Sequence, residues 1–145
     1  MLLSIRFSLL SALFASILLF SCGKDDAPAV PAPDPTLYER LGGINAISAV
    51  VDQFLANVVA DNRINARFAP TVADQYRTQL LRNNLIDQVC AGAGGPCQYK
   101  GKNMLDAHTG MNITEAEFNA LVEDLVAALD QFSVPEREKG ELLAI

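Results

Sequence analysis

The chain has one histidine, three cysteines and eleven basic residues, and these shortages exclude several kinds of site. One imidazole cannot build a histidine-rich zinc site or a histidine relay. Seventeen acidic residues outnumber the basic ones, which gives a net charge of −6. Because an acidic surface repels phosphate backbones, the chain is predicted not to bind nucleic acid.

Sustained two-residue alternation of apolar and polar residues is also missing. This absence argues against half-buried strands and predicts an all-α fold. We find no internal repeat, and low complexity is confined to a proline-rich segment near residue 30. A chain of 145 residues has room for one domain once its N-terminal segment is subtracted.

The longest apolar run lies at the N-terminus, where Arg6 precedes Leu9–Phe20. The run is short for a membrane span, and small residues follow it, as in a secretory signal. The residues Leu-Phe-Ser-Cys that end at Cys22 resemble a bacterial lipobox. This resemblance implies a signal peptide over residues 1–21 and lipidation of Cys22. The alternative is an uncleaved anchor with an incidental cysteine.

Residues 22–35 are predicted to form a tether between the lipid and the folded domain. Four prolines in this segment remove backbone donors and favour extended polyproline conformations. Its start, Gly23-Lys-Asp-Asp26, resembles an acidic signal that sends some lipoproteins to the outer cell surface. We therefore expect an exported, lipid-anchored protein of the bacterial cell envelope, on the periplasmic or the outer-surface face.

Two cysteines remain after the predicted processing, Cys90 and Cys97. In an oxidising compartment they could form a disulfide across six intervening residues. Closing such a short loop would contribute roughly 2–3 kcal/mol. Two free thiols are the alternative.

Apolar residues at three- and four-residue steps predict three long helices. The first spans about Ile47 to Ala60, and the second begins after Pro70 and runs to about Ala91, where glycines end it. The third opens with the capping box Thr114-Glu-Ala-Glu117, and a short last helix begins near Pro135. These stripes form a small core, to which a flat apolar cofactor between helix pairs would add buried surface at about 25 cal/mol per Å².

The single histidine is His108, which lies between a glycine pair and the third long helix. A lone histidine is most often a surface residue or a hydrogen-bonded core residue. It can also supply the one axial ligand that a haem iron needs. The sequence around His108 is needed to distinguish between these roles.

Several motifs before and after His108 occur in a characteristic order. They are Leu37-Tyr-Glu-Arg-Leu-Gly-Gly43, the helix Ile47 to Ala60, Phe68, Gly94-Gly-Pro96, Tyr99-x-Gly101, Met104, His108, Ile113 and Phe118. Together they resemble the truncated haemoglobins, most closely group I, over residues 36–145. The resemblance implies a two-over-two helical sandwich that encloses haem b, iron protoporphyrin IX.

The resemblance also implies the residues that contact the cofactor. His108 matches the proximal ligand, which would bind iron through Nε2 while Nδ1 donates to a carbonyl. The other pocket residues that the match implies are Phe54, Phe68, Tyr99, Met104 and Phe118. Lys100 or Lys102 could pair with a haem propionate, and a solvated lysine is the alternative for each.

The distal side departs from the family pattern. Leu55 occupies a position where relatives commonly have tyrosine, and Leu81 and Leu85 occupy the helix positions that face the iron. The pocket is therefore predicted to be largely apolar. An apolar pocket lacks the side-chain donor that would hydrogen-bond iron-bound oxygen, and such a bond is worth roughly 1–3 kcal/mol. Oxygen should therefore dissociate about ten- to a hundredfold faster than from a pocket with that donor. The dissociation of CO and NO should change less, because their iron complexes are less polar.

The register of this distal helix rests on Gly94-Gly95 alone, because the preceding stretch is longer than in many relatives. Four polar side chains could therefore reach the pocket from its rim, and a solvated or structural role is the alternative for each: Tyr76, Gln79, Asn84 and Gln88. The glycine pairs at 42–43 and 94–95 match corners that need positive φ. Asn112, where relatives often have glycine, tolerates a left-handed conformation.

Three functions follow from these observations. The first is a haem-binding globin that reversibly binds diatomic gases (O₂, NO, CO). The second is a haem redox enzyme, such as an NO dioxygenase served by a reductase or a weak peroxidase, which an apolar distal side disfavours. The third is a haem-free structural lipoprotein, which is disfavoured by the retention of His108, Phe54, Phe68 and Met104. The oligomeric state cannot be inferred from the sequence.

Overall fold

The computed structural model describes residues 33–145, so the predicted signal peptide, Cys22 and most of the tether lie outside the described residues. This part of the chain contains helices and no strand, which confirms the all-α prediction for it. The helices are α1 (Leu37–Arg40), α2 (Gly43–Ala60), α3 (Asn65–Val72), α4 (Gln75–Gly92), α5 (Met104–His108), α6 (Glu115–Gln131) and α7 (Glu136–Leu143).

Helix α2 is the centre of the core, because it packs against α6 on one side and α4 on the other. Its buried side chains are Ile47, Val50, Val51, Phe54 and Val58, which follow the predicted stripe. Phe54 and Val58 join a cluster that includes Leu129 of α6. Ile47 and Val51 join a second cluster with Ile86 and Cys90 of α4.

The predicted helix from Pro70 to Ala91 is wrong at its start. Pro70 lies inside α3, which ends at Val72, and α4 begins only at Gln75. Asp74 separates the two helices because its backbone is extended and its carboxylate accepts a hydrogen bond from the Arg77 amide at 3.1 Å. A proline lacks one backbone donor, and the short α3 tolerates that single loss.

The first long helix begins at Gly43, one turn before its predicted start at Ile47, and the remaining predicted boundaries agree with the structure. Thr114 and Glu117 form both bonds of the predicted capping box at the start of α6. Pro135 is the N-cap of α7. Helices α1, α3 and α5 were not predicted, because segments of four to eight residues are too short to show a clear helical periodicity.

Positive φ occurs at most of the predicted corners, including Gly42, Gly43, Gly94 and Asn112. Gly95 does not have positive φ, so that expectation is wrong for the second member of the pair. Gly95 is needed for space instead: an added Cβ would overlap the Tyr38 ring and the backbone and sulfur of Cys90.

A disulfide joins Cys90 to Cys97, with their Cα atoms 5.7 Å apart. Cys90 is fully buried near the end of α4. Cys97 begins the irregular segment that leads to α5. The bond therefore fixes the upstream end of the segment that carries His108.

Candidate functional site

A cavity of about 1140 Å³ lies among α2, α3, α4, α5 and α6. Pockets that hold drug-sized ligands measure roughly 300–1,000 Å³, so this cavity has room for a large cofactor. Nine of the ten predicted cofactor-binding residues line it: Phe54, Phe68, Leu81, Leu85, Tyr99, Lys102, Met104, His108 and Phe118. The predicted pocket residues are thus brought together, although they come from five different parts of the chain.

His108 is the last residue of α5 and lines the cavity. Its Nδ1 lies 2.8 Å from the carbonyl oxygen of Met104, one turn earlier. A carbonyl only accepts hydrogen bonds, so in the neutral imidazole Nδ1 carries the proton and Nε2 keeps its lone pair. This is the tautomer that a metal-binding imidazole needs when it binds through Nε2.

The start of α5 is held by a side-chain cap. The amide of Asp106 donates to Asn103 Oδ1 at 2.9 Å, and Asn103 Nδ2 donates to the Asp106 carboxylate at 2.6 Å. The cap fixes the first turn of the helix, which contains Met104. The carbonyl that orients His108 is therefore itself held in place.

Large apolar side chains on the cavity wall are unusually exposed. Phe118 is 58% exposed, Ile113 43% and Met104 42%. Clustered apolar exposure on one surface marks a binding site for an apolar ligand. A flat apolar macrocycle would bury these side chains, which makes the wall a fit for haem.

Two lysines and a tyrosine form part of the rim. Tyr99 Oη donates to the Lys102 carbonyl at 2.7 Å, and the ring folds over Gly101, where an added Cβ would overlap it. Lys100 and Lys102 both line the cavity and are exposed. Their ammonium groups suit the carboxylates of a haem edge that faces solvent.

Leu55 is the one predicted cofactor-binding residue that does not line the cavity, and its place in the haem pocket stays a prediction. It packs against the second core cluster, beside Ile86 and Cys90. Adjacent residues on a helix point about 100° apart. Phe54 lines the cavity, while its neighbour Leu55 packs toward α4, against the cluster that the cavity-lining Leu85 also contacts.

The distal helix, α4, presents a mixed surface to the cavity. Leu81 and Leu85 line it as predicted, and so do the amides Asn84 and Gln88. Gln88 Nε2 lies 3.6 Å from the sulfur of Met104. Of the other two rim candidates, Tyr76 is 75% exposed, and neither it nor Gln79 lines the cavity. The sequence spacing of four residues already placed Asn84 and Gln88 on one helix face.

The sequence analysis missed an ion pair on the cavity wall between Arg67 of α3 and Glu117 of α6. Their closest atoms, Arg67 Nε and Glu117 Oε1, are 2.7 Å apart. Hydrogen bonds from Arg67, and then from Thr114, lower the pKa of Glu117 to about 2. The capping box revealed Glu117, but nothing in the sequence connects it to a residue fifty positions earlier.

Comparison with known proteins agrees with this geometry. The bacterial-like globin family matches residues 36–145. A group 1 truncated hemoglobin of Tetrahymena pyriformis is 41% identical over 101 residues, which cover 70% of this chain and 79% of that protein. Another, from Synechocystis sp., is 32% identical over 114 residues, which cover 76% of this chain and 88% of that protein.

A solved structure shows the same architecture. The crystal structure of the Tetrahymena pyriformis truncated hemoglobin in its Fe(III) form superposes with a TM-score of 0.67 at 35% identity. The match covers 76% of this chain and 90% of that one. It confirms the predicted two-over-two helical fold. The chain belongs to the bacterial-like globin family, and its helical domain is a truncated globin.

Proposed function

We propose that this domain binds haem b through His108 and reversibly binds a diatomic gas, O₂, NO or CO. The observation that carries the proposal is the lone imidazole, which lines an apolar-walled cavity with its Nδ1 bonded to the Met104 carbonyl at 2.8 Å. That bond leaves Nε2 as the ligand atom. When bound, haem supplies an iron atom with a coordination position for a small gas molecule.

The remaining wall residues have separate tasks in this proposal. Phe54, Phe68 and Phe118 supply aromatic surface for the macrocycle. Lys100 and Lys102 offer ammonium groups to the propionates. The residues reach the cavity from different elements, so tight binding of the cofactor requires the folded domain.

The hemin titration of the purified chain tests the proposal. We expect a Soret band at one equivalent of hemin, and a pyridine haemochrome spectrum of the b type. The His108→Ala variant should lose the wild-type ferrous spectrum, and added imidazole should restore it by supplying the missing ligand. Thr109→Ala is the matched control, because the Thr109 hydroxyl donates to the Leu105 carbonyl at the same end of α5 and Thr109 does not line the cavity. Absence of a Soret band in the wild type would contradict haem binding and favour a haem-free structural role.

We also propose that the distal side is largely apolar, because Leu81 and Leu85 line it. Fast oxygen dissociation by stopped flow is the expected result. It should change little in Gln88→Leu, since Gln88 Nε2 faces the sulfur of Met104. Slow dissociation that Gln88→Leu or Asn84→Leu accelerates would show instead that an amide donates to the gas.

A redox enzyme is the second candidate, because Asn84 and Gln88 place two amide groups on the distal wall. Amide donors would hold a polar diatomic ligand, as NO dioxygenation requires. The reaction also needs a reductase as a partner. Sustained NO consumption with nitrate formation, in the presence of a reductase and NADH, would favour this candidate over simple gas binding.

The location in the cell envelope is proposed from residues outside the described part of the chain. The lipobox-like sequence that ends at Cys22 and the prolines after it support a lipid anchor. Cys22→Ala should move the protein from the membrane fraction to the supernatant. Unchanged fractionation would contradict lipidation.

A further inference from the structure

Arg67 uses all three of its guanidinium nitrogens in hydrogen bonds. Nε and Nη2 donate to the two carboxylate oxygens of Glu117, at 2.7 and 2.9 Å. Nη1 donates to the Met111 carbonyl at 2.5 Å, and Nη2 also reaches the Asn112 carbonyl at 3.3 Å. One side chain of α3 therefore connects to α6 and to the segment that follows His108.

That segment, residues 109–114, has little else to hold it. All six residues are exposed, and Gly110 and Asn112 have positive φ values of 81° and 47°. Among residues 33–145, its other hydrogen bonds run to α5 or within the α6 capping box. Arg67 is thus the side chain from a distant element that fixes the backbone next to His108.

Charge and geometry make this arrangement specific. Arginine presents a planar fork that matches a carboxylate, and lysine cannot reproduce it. Glu117 is held in turn by Thr114, whose amide donates to Oε2 at 2.8 Å. The carboxylate is therefore shared between the cap of α6 and the guanidinium.

An exposed ion pair adds little to global stability. Arg67 and Glu117 are 35% and 22% exposed at their side chains, so a large stabilising effect is not expected. The same bonds remove freedom from a backbone segment that few other contacts restrain. Their main consequence is therefore positional.

We propose that Arg67 is a positioning residue for His108, holding the α5–α6 connection so that the imidazole keeps a single orientation toward the cofactor. The proposal rests on haem binding through His108. It is independent of which gas binds or whether the domain is an enzyme.

Resonance Raman spectroscopy of the ferrous, hemin-reconstituted chain tests the proposal through the iron–histidine stretching band. Arg67→Ala and Glu117→Gln should shift or broaden this band, and Arg67→Lys should give an intermediate result. Hemin transfer to excess apomyoglobin should accelerate about tenfold in Arg67→Ala, corresponding to a modest loss of ligand-bond energy. Arg77→Ala is the matched control. The Arg77 side chain is 63% exposed, its Nε lies 3.8 Å from Asp74 Oδ2, and the residue does not line the cavity.

Two results would overturn the proposal. If Arg67→Ala folds, binds hemin and shows the wild-type band and transfer rate, Arg67 does not position His108. If Arg77→Ala changes both readouts as much as Arg67→Ala, the effect is one of surface charge. Should Arg67→Ala fail to fold by circular dichroism, Arg67→Lys and Glu117→Gln decide by the same readouts. A wild-type chain without a Soret band would instead refute haem binding itself, so the two failures are distinguishable.

Discussion

Helices α2 and α5 both border the cavity, but different interactions hold them. Helix α2 has five buried side chains and packs against α4 and α6. Helix α5, which carries His108, has none, and all five of its residues are exposed. Its neighbours along the chain are restrained by the disulfide at Cys97 and by the bonds of Arg67. The core side is stabilised by packing, whereas the side that carries His108, the proposed ligand side, is held by a covalent bond and polar contacts.

Because of this difference, the global stability of the domain and the orientation of His108 should depend on different residues. Segments with few buried contacts open locally at a lower free energy than the global unfolding. Changes in the core are therefore expected to lower the free energy of unfolding of the whole domain. Changes in the restraints on α5 are expected to alter the ligand side first.

The largest effect should come from the core. Leu129→Ala removes a side chain that is 1% exposed in the cluster that includes Phe54 and Val58. The lost burial and the remaining cavity should lower the free energy of unfolding by about 2–5 kcal/mol. Urea denaturation of the hemin-free chain measures this loss in the free energy of unfolding. A loss as small as that of an exposed substitution would contradict the assigned core.

The next effect concerns the disulfide. Reduction removes a restraint on a short loop, and about 2–3 kcal/mol of stability should be lost. Amide exchange should rise more over residues 98–108 than over α2, because Cys97 anchors that segment. Cys97→Ser should reproduce the effect without reductant. A uniform rise across α2 and α5 would mean that the bond stabilises the core and not the ligand side in particular.

Two carboxylates of α6 should respond to acid in opposite directions. The pKa of Glu117 is lowered to about 2 by Arg67, so its stabilising effect is complete above about pH 4.5 and is lost as the pH falls toward 2. Burial, and then the charge of Asp61, raise the pKa of Asp124, whose Oδ2 has no hydrogen-bond partner among residues 33–145. The charged form of Asp124 therefore costs stability at neutral pH, and protonation relieves this cost.

Denaturation of the variants at several pH values checks these signs. Glu117→Gln should destabilise the chain at pH 7 and have progressively less effect as the pH falls below about 4.5. Asp124→Asn should stabilise at pH 7 and lose that advantage in acid. Equal effects of either substitution at pH 7 and pH 2 would contradict the assigned environment.

The smallest effect should come from α5 itself. Leu105 is 78% exposed and does not line the cavity, in contrast to the buried Leu129. Leu105→Ala should change the free energy of unfolding by no more than about 0.5 kcal/mol. The same leucine-to-alanine substitution thus compares the two regions directly. A loss close to that of Leu129→Ala would show that α5 is packed more tightly than its exposure indicates.

Local patterns were predictable from the sequence, and distant partners were not. The capping box of Thr114 and Glu117 is a signal within four residues, and the structure confirms it. The ion pair of Glu117 with Arg67 depends on how α3 and α6 approach each other, which no local pattern records. Pro70 was misinterpreted because proline often begins a helix, whereas here the Asp74 cap sets the boundary.

The pocket shows the same division. Motif order predicted that Phe54, Phe68 and His108 would meet, and they line one cavity. Leu55 packs against the cluster of Ile86 and Cys90 and does not line the cavity, so its contact with the cofactor stays a prediction.

Hydrogen exchange of the chain without and with one equivalent of hemin tests the central claim most directly. The claim predicts that residues 104–114 exchange faster than α2 in the hemin-free chain, because they bury no side chains. Hemin should then protect residues 104–114 strongly and leave the already slow amides of α2 nearly unchanged. If hemin binds but the amides of residues 104–114 gain no protection from exchange, the central claim is contradicted.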